Sequence, residues 1–173
     1  MFHQREKTQQ CVMTEINDLI NKIIPPADYE HRNGFSNDNI IDKLTADEKV
    51  QVEMLLFARL NNYNGDTLII ETLTYMNSQK SLDTFNKILS QSDNPADKII
   101  IASCIYKLSK DKLMGVIALE SVKRITDKYA LISMFYYLAQ IESKELDDYI
   151  KQYSNHSDYL LSYNAKRILG HKA

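Results

Sequence analysis

Residues Tyr129 to Ile141 read YALISMFYYLAQI, and no charged side chain interrupts them. Apart from the tyrosine hydroxyls, only Ser133 and Gln140 carry a polar group, and both are neutral. A helix on a protein surface keeps one polar stripe for water. A helix over this stretch is therefore expected to be buried nearly all round, with neighbours on at least two sides.

The flanking chain offers such neighbours, and all of them read as helices. Thr126-Asp127 caps the apolar stretch, Glu142-Ser143 turns the chain, and Lys144 to Tyr153 forms a partner helix. Ser157 caps a last helix to Leu169, closed by Gly170. On the other side, helices are expected from Asp111 to Ile125, from Pro95 or Ala96 to Leu108, from Ser81 to Leu89 and from Asp66 to Met76. Thr45-Ala46-Asp47-Glu48 is a capping box that opens a helix from Ala46 to about Asn62. Val50, Met54, Leu55, Phe57, Ala58 and Leu60 are expected on its apolar side, with Lys49, Glu53 and Arg59 outward. Asn61 to Gly65 ends it, since Gly65 can take a left-handed conformation.

A short helix from Asp38 to Leu44 precedes that box, and another runs from Thr14 to Ile24 until Pro25-Pro26 stops it. Pro25 to Asn37 is the longest irregular segment and reads as a solvated connector pinned by Phe35. Residues 1–13 read as a polar tail, leaving 14–173 as one all-α repeat domain. Four Gly and three Pro in 173 residues leave little punctuation for strands and hairpins, which favours the same class.

Spacing gives the helices an order. Leu73, Ile105, Leu138 and Leu169 lie 32, 33 and 31 residues apart, and Leu82, Leu113 and Leu146 lie 31 and 33 apart. Two helices in a repeat of that length point to an α-solenoid. No TPLH occurs as in ankyrin repeats, and no spaced Trp, Gly and Pro as in tetratricopeptide repeats. From Ala46 to Leu169 the chain resembles a HEAT-like array, on hairpin length, apolar spacing and Ala102 and Ala165 at close-packed positions. The resemblance implies a short right-handed α-solenoid of stacked helical hairpins with about nine to ten helices. In it, Tyr129 to Ile141 is an interior first helix and Ser157 to Leu169 a terminal cap.

Bulk charge narrows the functions. The net charge is −2 and the pI about 6.1, so no global field favours nucleic acid or an anionic membrane. Residues 1–100 hold 10 Lys+Arg against 15 Asp+Glu, and residues 101–173 hold 11 against 8, a mild acidic-to-basic gradient. No apolar run reaches membrane-spanning length and the start lacks a secretory h-region, so a cytoplasmic location is expected. Cys11 and Cys104 sit far apart in unlike contexts, so Cys104 is expected to pack as a small hydrophobe and no disulfide is expected.

No catalytic constellation emerges. His3, His31, His156 and His171 are scattered, with none at metal-ligand spacing from another His, Cys or carboxylate. His156-Ser157-Asp158 reads as a turn and cap, and Glu145, Asp147 and Asp148 sit where the helix dipole favours carboxylates. No glycine-rich phosphate loop exists. The chain is therefore expected to have no enzymatic activity, no metal and no cofactor.

Tyrosine stands out: 11 occur, seven of them (Tyr129, Tyr136, Tyr137, Tyr149, Tyr153, Tyr159 and Tyr163) in the last 45 residues. Tyr149 and Tyr153 share a side with Leu146 and Ile150 and read as core. Tyr136, Tyr159 and Tyr163 are the better candidates for an interface, where tyrosine anchors are enriched. On the acidic half, Glu53, Asp66, Glu71 and Asp83 can face a basic partner. The expected function is a non-catalytic protein-binding scaffold. HEAT-like immunity proteins suggest a narrower form, neutralisation of a co-encoded bacterial toxin. The rival is a HEAT-like nucleic-acid-processing or DNA-binding domain, for which Lys123-Arg124 and Lys166-Arg167 offer modest basic pairs.

Overall fold

A computed structural model describes residues 16–170, and these form an all-α protein with no strand among the described residues. The 1–13 tail, Cys11, His3 and His171 lie outside them. The chain divides into two compact units, Met1–Ser78 and Gln79–Ala173.

The first unit contains α1 (residues 16–23), α2 (Tyr29–Arg32), α3 (Asp38–Asp42), α4 (Ala46–Leu60) and α5 (Thr67–Tyr75). Its boundaries are written in local chemistry. Pro25-Pro26 follows α1. At α4 the capping box closes in both directions: Glu48 N–H donates to Thr45 Oγ1 at 3.3 Å and Thr45 N–H to Glu48 Oε2 at 2.8 Å. α5 ends in a Schellman motif, with Asn77 at φ 58°, its N–H donating to the Thr74 carbonyl and that of Ser78 to Leu73.

Ile20, Ile23, Ile41, Val52, Leu56, Leu60, Ile70 and Leu73 fill this unit's interior. That corrects the apolar face expected for α4. Val52, Leu56 and Leu60 are turned in, while Val50 and Met54 are 60% and 57% exposed. Both sets are apolar at helical spacing, so the pattern names the helix without fixing its phase. Neighbouring α5 decides it. The Pro25 to Asn37 connector is also more ordered than expected, since it contains α2 and its Asn37 is buried. The Asn37 amide donates to the Ile23 carbonyl at 3.0 Å and to Thr72 Oγ1 at 2.7 Å, tying α1, the connector and α5 together.

The second unit opens with a 3-10 turn (Gln79–Ser81) and continues through α6 (Leu82–Gln91), α7 (Pro95–Ser109), α8 (Leu113–Val122), α9 (Lys128–Leu138), α10 (Lys144–Lys151) and α11 (Tyr159–Gly170). Asn94, Asp127 and Ser143 cap α7, α9 and α10 through their side-chain oxygens. α7 packs on α6, α8 and α9; α9 also packs on α8, α10 and α11; α8 and α10 touch each other. Phe85, Ile101, Ala102, Ile105, Phe135, Leu138, Leu146, Ile150 and Ala165 are buried, as is Cys104.

Two expectations need correcting here. The apolar stretch has neighbours on several sides, yet it is not enclosed: Tyr129, Ser133 and Tyr136, spaced i, i+4, i+7, form an exposed stripe. Ser133 satisfies its hydroxyl on its own helix, donating to the Tyr129 carbonyl at 3.0 Å. A tyrosine-lined stripe can face water because each ring carries a hydroxyl at its edge. Second, Leu113 does not occupy the buried position that Leu146 does. It is exposed at the start of α8, and Met114 is buried instead.

Candidate functional site

Four of the exposed tyrosines lie on α9 and α11 of the second unit, two helices whose starts are tied together. Lys128, the first residue of α9, donates from Nζ to Asp158 Oδ2 at 2.8 Å, and Asp158 caps α11 by accepting from the Leu160 and Leu161 N–H groups. Lys128 therefore holds two helix starts together. Its ammonium also lies 5.0 Å from the centroid of the Tyr129 ring, a favourable cation–π distance. Lys128 holds the Asp158 carboxyl below its ordinary range through this hydrogen bond, and Asp158 raises Lys128 in return.

Tyr159 follows Asp158 and stacks on Tyr163, ring centroids 5.8 Å apart and 24° from parallel. On α9, Tyr136 meets Tyr137 edge-on at 5.6 Å. Tyr129, Tyr136, Tyr159 and Tyr163 are 64%, 60%, 73% and 49% exposed. Tyr129 and Tyr159, next to Lys128 and Asp158 in sequence, thus stand in water beside a matched ion pair. Tyr149 and Tyr153, read as core, are half-buried: their hydroxyls lie 3.2 Å apart, and Tyr153 packs on Phe135 at 5.3 Å. Burial, then the Tyr153 hydroxyl, push the Tyr149 phenol upward.

The acidic candidates scatter. Asp66 is the N-cap of α5 and is held by Arg32, so most of its acceptor capacity is used inside the first unit. Glu71 accepts from Thr67 Oγ1 at 3.3 Å on the same helix. Asp83 stands exposed in the first turn of α6, in the second unit. Glu53, read as an outward residue, is half-buried and lines an open cleft of about 370 Å³ with Ile41, Asp42, Lys49, Val50, Tyr75, Met76 and Asn77. All eight belong to the first unit, and Tyr75 donates its hydroxyl to Asp42 at 2.9 Å. That hydrogen bond raises the Tyr75 phenol.

Sequence reasoning missed Tyr129 and the cleft. Tyr129 could have been found by noticing that Tyr129, Ser133 and Tyr136 share one helical face containing both a hydroxyl residue and two tyrosines. Nothing local could have found the cleft, whose walls come from α3, α4 and the end of α5.

Of the basic pairs, Lys123 bridges to Glu120 at 2.9 Å and Arg124 donates to the Asp93 carbonyl at 3.3 Å, while Lys166 and Arg167 stand exposed on α11. His156 accepts the Asp158 N–H, so the His156-Ser157-Asp158 segment is a turn and cap. No group of three or more His, Cys, Asp or Glu suited to a metal occurs among the described residues, and no helix there is long and apolar enough to cross a membrane. Comparison of the chain with known protein families, with curated proteins and with solved structures finds no match.

Proposed function

We propose that this all-α chain is a non-catalytic protein-binding scaffold, and that it docks its partner through the tyrosines around the starts of α9 and α11. The observation that carries this reading is the exposure of Tyr129, Tyr159 and Tyr163 near the starts of α9 and α11, where Lys128 and Asp158 are paired, with Tyr136 exposed further along α9. Tyrosine brings a large rigid apolar surface with a hydroxyl at its edge, the profile of an interface anchor. Because Lys128 is paired with Asp158 before any partner arrives, covering the two helix starts strands neither of them as a lone charge.

The order of helix contacts, α7 on α9 on α11 and α8 on α10, supports a HEAT-like solenoid in the second unit. A narrower form of the reading makes the chain an immunity-type protein whose partner is a co-encoded toxin. What supports it is the charge of the first unit, 7 Lys+Arg against 12 Asp+Glu over Met1–Ser78, which would speed encounter with a basic toxin. A cytoplasmic location goes with that reading. The pairing of Lys123 with Glu120 and of Lys128 with Asp158 weighs against the nucleic-acid rival, since phosphate binding needs cations to spare.

The test is a tagged full-length chain used to recover a partner from the source cells, followed by calorimetry with the purified, identified partner. Replacing Tyr129 and Tyr159 together by Ala should weaken that binding about thirtyfold or more, the scale of an interface hot spot. An identified partner that binds the double variant as tightly as the natural chain overturns the proposal. So does a chain that is folded and monodisperse yet retains no protein, or that shifts labelled DNA or RNA at micromolar concentration.

A further inference from the structure

The cleft on the first unit is a second site, separate in sequence and in unit from the tyrosine patch. We infer that it receives a basic peptide segment of another protein, seating one Lys or Arg side chain with its aliphatic stem against Val50, Tyr75 and Met76 and its charged head toward Asp42 and Glu53. The inference does not rest on the tyrosine face and can hold where that reading fails.

Shape comes first. At about 370 Å³ the cleft is at the small end of the roughly 300–1,000 Å³ range of ligand pockets. That suits one long side chain and its flanks better than a ring-bearing cofactor. Its walls are mixed in the way an amphipathic side chain requires: Ile41, Val50, Tyr75 and Met76 offer apolar contact, and Asp42 and Glu53 offer carboxylates. Lys and Arg bury a methylene stem along apolar surface while the head seeks a charge partner. Val50 and Met54 extend the apolar ridge along α4 and stay mostly exposed, so an apolar residue next to the basic one also finds a seat.

Charge then chooses among occupants. Two carboxylates face one cation, Lys49, inside the cleft, and the unit around it carries five more acidic than basic residues. An acidic or phosphorylated ligand would meet like charge. Asp42 already accepts the Tyr75 hydroxyl, but a carboxylate has about four acceptor positions and keeps room for a cationic donor. The same hydrogen bond fixes the Tyr75 ring as a wall. Asn77, at the Schellman corner with φ 58°, sets the far end of the cleft on a hydrogen-bonded backbone and not on a free loop.

The experiment titrates the full chain, labelled with nitrogen-15, with a peptide of alternating Leu and Lys, and in parallel with its Leu/Glu counterpart. Saturable shifts centred on Val50, Glu53 and Tyr75 are expected with the Lys peptide and none with the Glu peptide. Glu53→Gln should weaken the Lys peptide by up to about fivefold, the scale of a half-exposed ion pair, and Glu53→Lys should remove saturable binding. Tyr159→Ala should leave it unchanged, which separates this site from the tyrosine face. Equal binding of both peptides, shifts spread evenly over the acidic residues, or a Glu53→Lys chain that binds as the natural one does would each overturn the inference. A concentration-dependent dimer that Glu53→Lys dissolves would also overturn it, assigning the cleft to a second copy of this chain.

Discussion

Arg32 holds Asp66 with both ends of its guanidinium, Nη1 on Oδ1 at 2.6 Å and Nη2 on Oδ2 at 2.7 Å, across 34 residues of sequence. The same guanidinium donates from Nε and Nη2 to the Pro25 carbonyl. Both side chains are largely sheltered, 22% and 13% exposed, so water replaces only part of what either would lose. The connector between α1 and α3 is thereby fixed to the start of α5. Replacing Arg32 by Ala should cost about 1.5–3 kcal/mol, the range for hydrogen bonds to a charged group. Replacing it by Lys should recover only a part, because an ammonium cannot reproduce the planar fork. Urea unfolding of the three chains checks both statements; an Arg32→Ala chain as stable as the natural one would show the clasp to be incidental.

Asp158 and Lys128 make a pH-dependent tether between α9 and α11. The Lys128 ammonium and the α11 amides keep Asp158 below its ordinary 3.8. Its contribution is then fully present above pH 3.8 and is lost as the pH falls through its depressed folded value. Asp158 keeps Lys128 above its ordinary 10.5, so that contribution is complete below pH 10.5 and lost as the pH rises through the folded value. Acid should therefore loosen the start of α11. Carbon-13 titration of the Asp158 carboxyl should give a higher pKa in Lys128→Met than in the natural chain, because the largest lowering influence is gone and burial then opposes the Leu161 and Leu160 N–H groups. Identical titrations would mean that the 2.8 Å contact does not govern this carboxylate.

The parts of this fold that were legible in the sequence are those decided within three or four residues. Thr45 with Glu48, and Asp127, cap the helices they were read to cap, because a cap joins a side chain to a backbone amide one turn away. Tyr149 and Tyr153 could be paired for the same reason. At the last helix the cap is Asp158 where Ser157 was expected, and Ser81 makes no side-chain cap bond to α6. The phase of α4 could not be read, since Val50-Met54 and Val52-Leu56 are equally good apolar stripes until a neighbour covers one. On α9 a tyrosine counts as apolar in a pattern but can stand in water. The Arg32–Asp66 clasp and the Glu53 cleft depend on which distant helices meet, and spacing within one helix carries no record of that.

α11 should be needed for the rest of the second unit to stay in solution. Its Leu161, Ala165 and Ile168, spaced i, i+4, i+7, are all buried, and the helix packs on α9 and α10. Fully burying a Leu or Ile stabilises by about 1.5–3 kcal/mol, and the surfaces of α9 and α10 under them lose their cover as well. Together these approach the whole stability of a small domain, about 5–15 kcal/mol. Deleting residues 157–173 also takes Asp158 away from Lys128, leaving the start of α9 without its tether. The truncated chain should bind a hydrophobic dye and aggregate at concentrations where the full chain is monodisperse. Leu161→Ala gives the graded version and should cost about 2–5 kcal/mol with the chain still soluble. If the deletion instead stays soluble and unfolds cooperatively with the full chain's near-ultraviolet signal from Phe135 and Tyr153, then α9 and α10 hold together without their C-terminal neighbour, and α11 is an appendage to the array instead of its cap.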